Sequence, residues 1–117
     1  IFIFCLFAFN ANAKETTFKK ELFDKAQAEG KVVIVSSWIK YCSSCASQMK
    51  VLDKAKNDFD NIEYFAFDVT NKEIAELFDV QYQTTLLIFK DKKLVYRSIG
   101  ETTKDLIYKA IKSSIKI

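Results

Sequence analysis

The chain has 117 residues, of which 50% are hydrophobic and 28% are charged. This composition fits one compact domain and excludes both a disordered chain and a multi-span membrane protein. The 18 Lys and Arg against 15 Asp and Glu give a net charge of +3, which is too small to predict a nucleic-acid partner. The chain has no His, which excludes His-dependent hydrolases and most catalytic zinc sites. The candidates for chemistry are therefore the cysteines Cys5, Cys42 and Cys45.

The N-terminal segment has the pattern of a targeting signal. Its first nine residues are apolar and uncharged, and the small residues Ala11 and Ala13 precede Lys14. A short apolar run followed by a small-x-small pattern predicts the end of a secretory signal peptide at residues 1–13, cleaved before Lys14. The domain would then comprise residues 14–117 and act in the periplasm or elsewhere outside the cytoplasm. Two alternatives stay open: an uncleaved membrane tether and a buried element of the fold.

After this segment, the apolar pattern alternates between helical and strand spacing. Thr16 and Thr17 are expected to cap a first helix that ends near Glu29. The predicted elements that follow are strand 31–38, helix 43–59, strand 62–68, helix 71–79, strands 85–90 and 94–98, and helix 102–115. Helical spacing predicts that the inward-facing residues are Phe18, Leu22, Ala26, Met49, Leu52, Ala55, Phe59, Ile74, Leu77, Phe78, Leu106, Ile107, Ala110 and Ile111. This order predicts an α/β fold in which a mixed sheet carries helices on both faces.

The stretch Cys42-Ser43-Ser44-Cys45 lies where the first strand leads into the second helix. A cysteine at a helix N-terminus faces unpaired backbone N–H groups and the positive end of the helix dipole. Both features favour a thiolate at Cys42, and the thiolate is the nucleophile in disulfide exchange. Cys45 lies one helical turn further on, from where it can attack a mixed disulfide on Cys42 and release the substrate. The pattern predicts redox chemistry that needs no cofactor.

Three other interpretations of the cysteine pair stay open. A structural disulfide between residues so close in sequence would close a very small loop and stabilise the fold little. A metal or cluster site needs about four ligands, and because the pair supplies only two, such a site would require dimerisation. Finally, the two thiols can be inert neighbours.

Two stretches of the chain resemble the thioredoxin family. VVIVSSWIKYCSSCASQMKVLDK is similar to the family's strand, Trp, cysteine pair and following helix, and TTLLIFKDKKLVYRSIG is similar to its late β-hairpin. The resemblance implies a thioredoxin-like four-stranded sheet with the order 62–68, 32–37, 85–90, 94–98. It also implies that Cys42 attacks, that Cys45 resolves, and that Trp38 supports the active-site loop.

The chain departs from the family pattern at positions around the cysteines. Tyr41 stands where the family usually has Trp, and Ser36 and Ala66 stand where it often has a buried Asp and a Lys. Thr84 replaces the cis-Pro that faces the disulfide, because the chain contains no Pro. A cis bond before a non-proline residue costs about 2.5–4 kcal/mol, so we predict a trans Gln83–Thr84 bond. By resemblance, Tyr41 and Thr84 contact the substrate, and Thr84→Pro is expected to raise turnover.

The residues and the resemblance together predict an exported thiol–disulfide oxidoreductase that acts on protein clients, with the reductase direction favoured. In an oxidising compartment a reductase needs an electron donor, and a membrane thiol–disulfide transporter is the expected one. The protein is expected to act as a monomer. The alternative function is a non-enzymatic module that uses the same cysteines to bind a metal, a cluster or a client protein.

Overall fold

The computed structural model describes residues 16–117, so the predicted signal peptide, its cleavage site and Cys5 lie outside the described residues. None of the helices in the described range combines the length and the apolar character that a bilayer span requires. The elements in chain order are α1 Lys20–Ala28, β1 Val32–Trp38, α2 Ser43–Asp58, β2 Ile62–Asp68, α3 Lys72–Phe78, β3 Thr85–Lys90, β4 Lys93–Ile99 and α4 Lys104–Ile115.

The four strands form one mixed sheet with the order β2-β1-β3-β4. β1 is parallel to β2 and antiparallel to β3, and β3 and β4 form a hairpin around Asp91 and Lys92. Both turn residues have positive φ, 52° and 66°, which is required of a two-residue turn whose twist matches that of the flanking strands. All seven residues of β1 are buried, including Ser36 and Ser37, and the four consecutive β-branched residues at its start are typical of a central strand. The predicted fold class and strand order are confirmed.

Apolar residues fill a separate core on each face of the sheet. α1 and α3 cover one face, where the core contains Phe18, Phe23, Ala26, Val33, Val35, Phe65, Phe67, Ile74, Ala75, Phe78, Val80 and Leu87. α2 and α4 cover the other face, where the core contains Val32, Ile34, Leu52, Ala55, Ile62, Leu86, Ile88, Ile107, Ala110 and Ile111. The two cores fix β1 and α2, and Cys42 and Cys45 lie where this strand leads into this helix.

Thr16 and Thr17 do not cap the first helix, contrary to the sequence prediction. The helix begins at Lys20, and the two threonines instead lie along β2, the edge strand of the sheet. Thr17 Oγ1 accepts the Ala66 N–H at 2.9 Å, and Thr16 Oγ1 accepts the Asp68 N–H at 3.0 Å. An edge strand leaves backbone groups unpaired, and this segment satisfies some of them.

Three leucines predicted to face inward are exposed. Leu22, Leu77 and Leu106 are 45%, 50% and 51% exposed, whereas Phe23 and Ile107, which follow the first and last of them, are buried. A helix of two or three turns buries only a narrow stripe of its surface. When two adjacent residues are both apolar, only one of them can point directly into the core. Helical spacing alone does not decide which of two adjacent residues faces the core, because apolar residues at i, i+3 and i+4 can be assigned to more than one helix face.

Candidate active site

The cysteine pair lies at the junction predicted from the sequence. β1 ends at Trp38, α2 begins at Ser43, and Cys42 is the N-cap residue of that helix. Cys42 and Cys45 form a disulfide with a Cα–Cα distance of 5.3 Å. Cys42 Sγ also accepts the backbone N–H of Cys45 at 3.2 Å, so the sulfur takes the place of a capping oxygen.

The surroundings of the two sulfurs differ in a way that separates their chemistry. Cys42 is partly exposed, whereas Cys45 is fully buried in a small cluster with Trp38 and Ala66. The first turn of α2 contains no acidic residue, so no local negative charge opposes the positive end of the helix dipole. A reductant or client can therefore reach the Cys42 side of the bond first, and a thiolate released there meets a hydrogen-bond donor.

Thr84 lies directly against the disulfide. The described residues contain no cis peptide bond, so the predicted trans Gln83–Thr84 bond is confirmed. Thr84 Oγ1 lies 3.2 Å from Cys45 Sγ and 3.7 Å from Cys42 Sγ. Because a disulfide sulfur carries no proton, the hydroxyl is the donor in these contacts. Thr84 is only 3% exposed, so in this oxidised state its side chain faces the sulfurs and is largely shielded from solvent.

The backbone of Thr84 is held in place on both sides. Its N–H donates to the Ser37 carbonyl at 2.9 Å, and its carbonyl accepts from the Gly100 N–H at 2.9 Å and from Gln48 Nε2 at 3.3 Å. Its φ is 61°, in the left-handed region that β-branched residues rarely adopt. Pro has φ near −65° and no N–H, so Thr84→Pro does not fit this loop unless the loop is rebuilt. Thr84→Pro is therefore expected to disrupt this loop, not to raise turnover.

Trp38 and Ser36 lie on β1, the strand that leads to the cysteine pair. Trp38 is 6% exposed and packs beside Cys45, which fits the supporting role implied by the resemblance. Ser36 is fully buried, and its hydroxyl lies 2.8 Å from the Tyr64 hydroxyl. Burial raises the pKa of Tyr64 far above its usual value, so this hydroxyl pair stays neutral. The position where the family often has an Asp thus holds no charged acceptor.

Two functional candidates were missed by the sequence analysis. Gln48 is fully buried and its amide bridges the Thr84 and Glu101 carbonyls, the latter at 2.8 Å. It lies in the inner stripe of α2 at the helical spacing 45, 48, 52, 55, and this spacing is the signal that could have identified it. Tyr82, 58% exposed, lies on the loop before Thr84, and its carbonyl accepts from Ser37 Oγ at 2.8 Å.

Tyr41 is completely exposed, with a φ of 61°. A bulky residue in the left-handed region is strained, and strained residues of this kind cluster at functional sites. With Tyr82 it places an exposed aromatic ring on each of the two loops that meet at the disulfide. This arrangement suits an extended peptide. Across residues 16–117, no group of three or more Cys, Asp or Glu side chains is arranged to hold a metal ion.

A disulfide that caps the helix after the central strand, on a four-stranded mixed sheet, defines a thioredoxin-fold protein with a redox-active pair. The family model for thioredoxin matches residues 11–113. Thioredoxin from Chlamydia muridarum is 31% identical over 68% of this chain and 79% of its own length, and thioredoxin from Chlamydia trachomatis is 29% identical over 79% and 90%. The crystal structure of Trxlp from Edwardsiella tarda superposes with a TM-score of 0.72 at 27% identity, over 79% of this chain and 92% of that one.

The chain therefore belongs to the thioredoxin family. The family and the Cys42–Cys45 disulfide together support activity as a thiol–disulfide oxidoreductase.

Proposed function

We propose that this chain is an exported protein-disulfide reductase that exchanges electrons with protein clients through Cys42 and Cys45. The observation that carries the proposal is the contrast between a partly exposed Cys42, whose sulfur accepts a backbone N–H at a helix start, and a fully buried Cys45. Cys42 attacks a client disulfide, which forms a mixed disulfide and releases one client thiolate. Cys45 then attacks Cys42, which restores the internal disulfide and releases the second client thiolate.

The reductase direction is part of this proposal, and it requires a partner that supplies two electrons to the Cys42–Cys45 disulfide after each turnover. If the chain acts outside the cytoplasm, that partner is a thiol–disulfide protein of the membrane. Tyr41 and Tyr82 supply exposed rings beside the sulfurs for an unfolded or extended client segment. The protein acts as a monomer in this scheme, because one chain contains both cysteines of the reaction.

The assignment of the nucleophile is tested by alkylation. In the reduced protein at mildly acidic pH, iodoacetamide is expected to label Cys42 about tenfold faster than Cys45, because thiols at helix N-termini in such motifs lose about one pKa unit or more. Peptide mass spectrometry after a short pulse measures both labels in the same sample. The matched control is the urea-unfolded chain, in which the two rates should become similar. Equal rates in the folded chain would contradict the assignment.

Export is tested at the N-terminus. We expect mature protein recovered from the envelope fraction of an expressing bacterium to begin at Lys14, because cleavage follows the small-x-small pattern. Intact-mass and N-terminal peptide analysis identify the first residue. A variant with Ala13→Lys is the matched control and should remain uncleaved, since the small residue at the cleavage site is lost. Recovery of the unaltered chain with residues 1–13 in the cytoplasmic fraction would overturn the proposed export.

A further inference from the structure

Cys45 needs a route by which its proton can leave. A thiol must become a thiolate before it attacks, and Cys45 is fully buried. Within residues 16–117 no charged side chain is buried; the buried polar side chains are Ser36, Ser37, Gln48, Thr84, Thr85 and Ser114. A buried carboxylate base is therefore absent from the described part of the chain, and the proton has to be carried outward by neutral groups.

Two hydroxyls connect the buried sulfur to the surface. Thr84 Oγ1 lies 3.2 Å from Cys45 Sγ and 3.0 Å from Ser44 Oγ. Ser44 is exposed, in the first turn of α2. Both distances are within hydrogen-bonding range, and each hydroxyl can accept one proton while it donates another. The sulfur, Thr84 and Ser44 thus form an unbroken hydrogen-bonded path from the interior to solvent.

The fold holds the middle group of this path in a conformation that its side chain disfavours. Thr84 has a φ of 61°, a left-handed backbone that is unfavourable for any residue with a Cβ and more so for a β-branched one. Hydrogen bonds hold both the backbone N–H and the carbonyl of Thr84, and this fixed backbone keeps the Thr84 hydroxyl in contact with the two sulfurs. Such over-determined strain is typical of functional sites.

We propose that Thr84 and Ser44 form a proton relay for the resolving step, an inference that rests on the proposed function. The Cys45 thiol gives its proton to Thr84 Oγ1, the Thr84 hydroxyl proton passes to Ser44 Oγ, and the Ser44 proton passes to water. The Cys45 thiolate attacks Cys42 Sγ and forms the Cys42–Cys45 bond. The Cys42–client bond breaks, and its electron pair leaves with the client sulfur as a thiolate.

Dithiobis-nitrobenzoate separates the two steps, because each releases one coloured nitrothiobenzoate. Reduced full chain mixed with this reagent should give a first phase for attack by Cys42 and a second phase for resolution by Cys45. Thr84→Val removes the hydroxyl but keeps the β-branched shape, and it should slow the second phase by about 10²-fold or more, as expected for loss of an acid–base group. Thr84→Ser keeps the hydroxyl and should restore most of that rate. The first phase is read from the same trace, and the relay requires the second phase of Thr84→Val to slow far more than the first.

Two further measurements distinguish a relay from a structural role. Ser44→Ala changes an exposed position and should fold normally, and it should slow the second phase less than Thr84→Val because water can reach its place. The second phase of the unaltered protein should slow in deuterated water, and this isotope effect should be altered in Thr84→Val.

These measurements distinguish failure of the relay from failure of the proposed function. Equal slowing by Thr84→Val and Thr84→Ser, or an unchanged second phase in Thr84→Val, would overturn the relay while the proposed function stands. If Thr84→Val does not fold, an unchanged second phase in Ser44→Ala together with no solvent isotope effect overturns it instead. Absence of the first phase in the unaltered protein would show that the proposed function itself has failed.

Discussion

Cys42→Ser is expected to reduce the turnover of a protein disulfide to the background rate, whereas Cys45→Ser is expected to stop the reaction at a mixed disulfide. A serine hydroxyl cannot form the sulfur–sulfur bond on which the exchange depends, so loss of the attacking group is complete. Cys45 acts only after the client is attached to Cys42. Without it, each chain should capture one client and release none.

The measurement uses a disulfide-bonded protein client with a chemical reductant as electron donor. Turnover is followed by the appearance of client thiols. Trapping is assayed separately with pre-reduced protein after the reductant has been removed, because a free thiol would cleave the mixed disulfide. The trapped complexes are resolved by non-reducing electrophoresis and mass spectrometry. The matched control is Ser43→Ala, which alters an exposed residue between the two cysteines and leaves both thiols in place. Trapping by Cys42→Ser but not by Cys45→Ser would reverse the two roles, and residual turnover in Cys42→Ser would remove Cys42 from the mechanism.

Sequence patterns predicted the features of this fold that depend on long or repeated signals. The buried β-branched run of β1 and the hairpin of β3 and β4 were both identified, and the resemblance implied the observed strand order. The misassignments lie at short helices and at the edge of the sheet. Thr is a common helix-capping residue, but the Thr16 hydroxyl instead accepts a backbone N–H of β2, because that N–H lies on an edge strand and has no partner in a neighbouring strand.

The site was predictable to the level of the motif and no further. Spacing alone located Cys42 at a helix start, since a CxxC after a buried strand has few other arrangements. It did not predict the Ser36–Tyr64 hydroxyl pair, whose members are 28 residues apart and meet only because of the strand register. Nor did it predict that Thr84 adopts positive φ, because the local sequence contains no glycine to signal it.

Leu52→Ala is expected to lower the free energy of unfolding by about 2–5 kcal/mol, the range for large-to-small substitutions in a packed core. Leu52 is fully buried in α2, within the core that also contains Ile34, Ile88 and Ile107. Leu and Ala have similar helix propensities, so the loss reports the cavity and the lost burial of apolar surface rather than a change in helix preference.

Leu22→Ala is the matched control, because Leu22 also lies in a helix and was also predicted to face inward, yet it is 45% exposed. We expect its effect to stay within about 0.5 kcal/mol, as for surface positions in general. Both variants are measured by urea unfolding with the disulfide intact, so that the unfolded states carry the same cross-link and differ only at the leucine. A large loss in Leu22→Ala, or a small one in Leu52→Ala, would contradict this assignment of the two helix faces. Cys42 lies at the N-terminus of α2, the helix that contains Leu52. A cavity at Leu52 should therefore also destabilise the first turn of this helix and make the alkylation rates of Cys42 and Cys45 more alike.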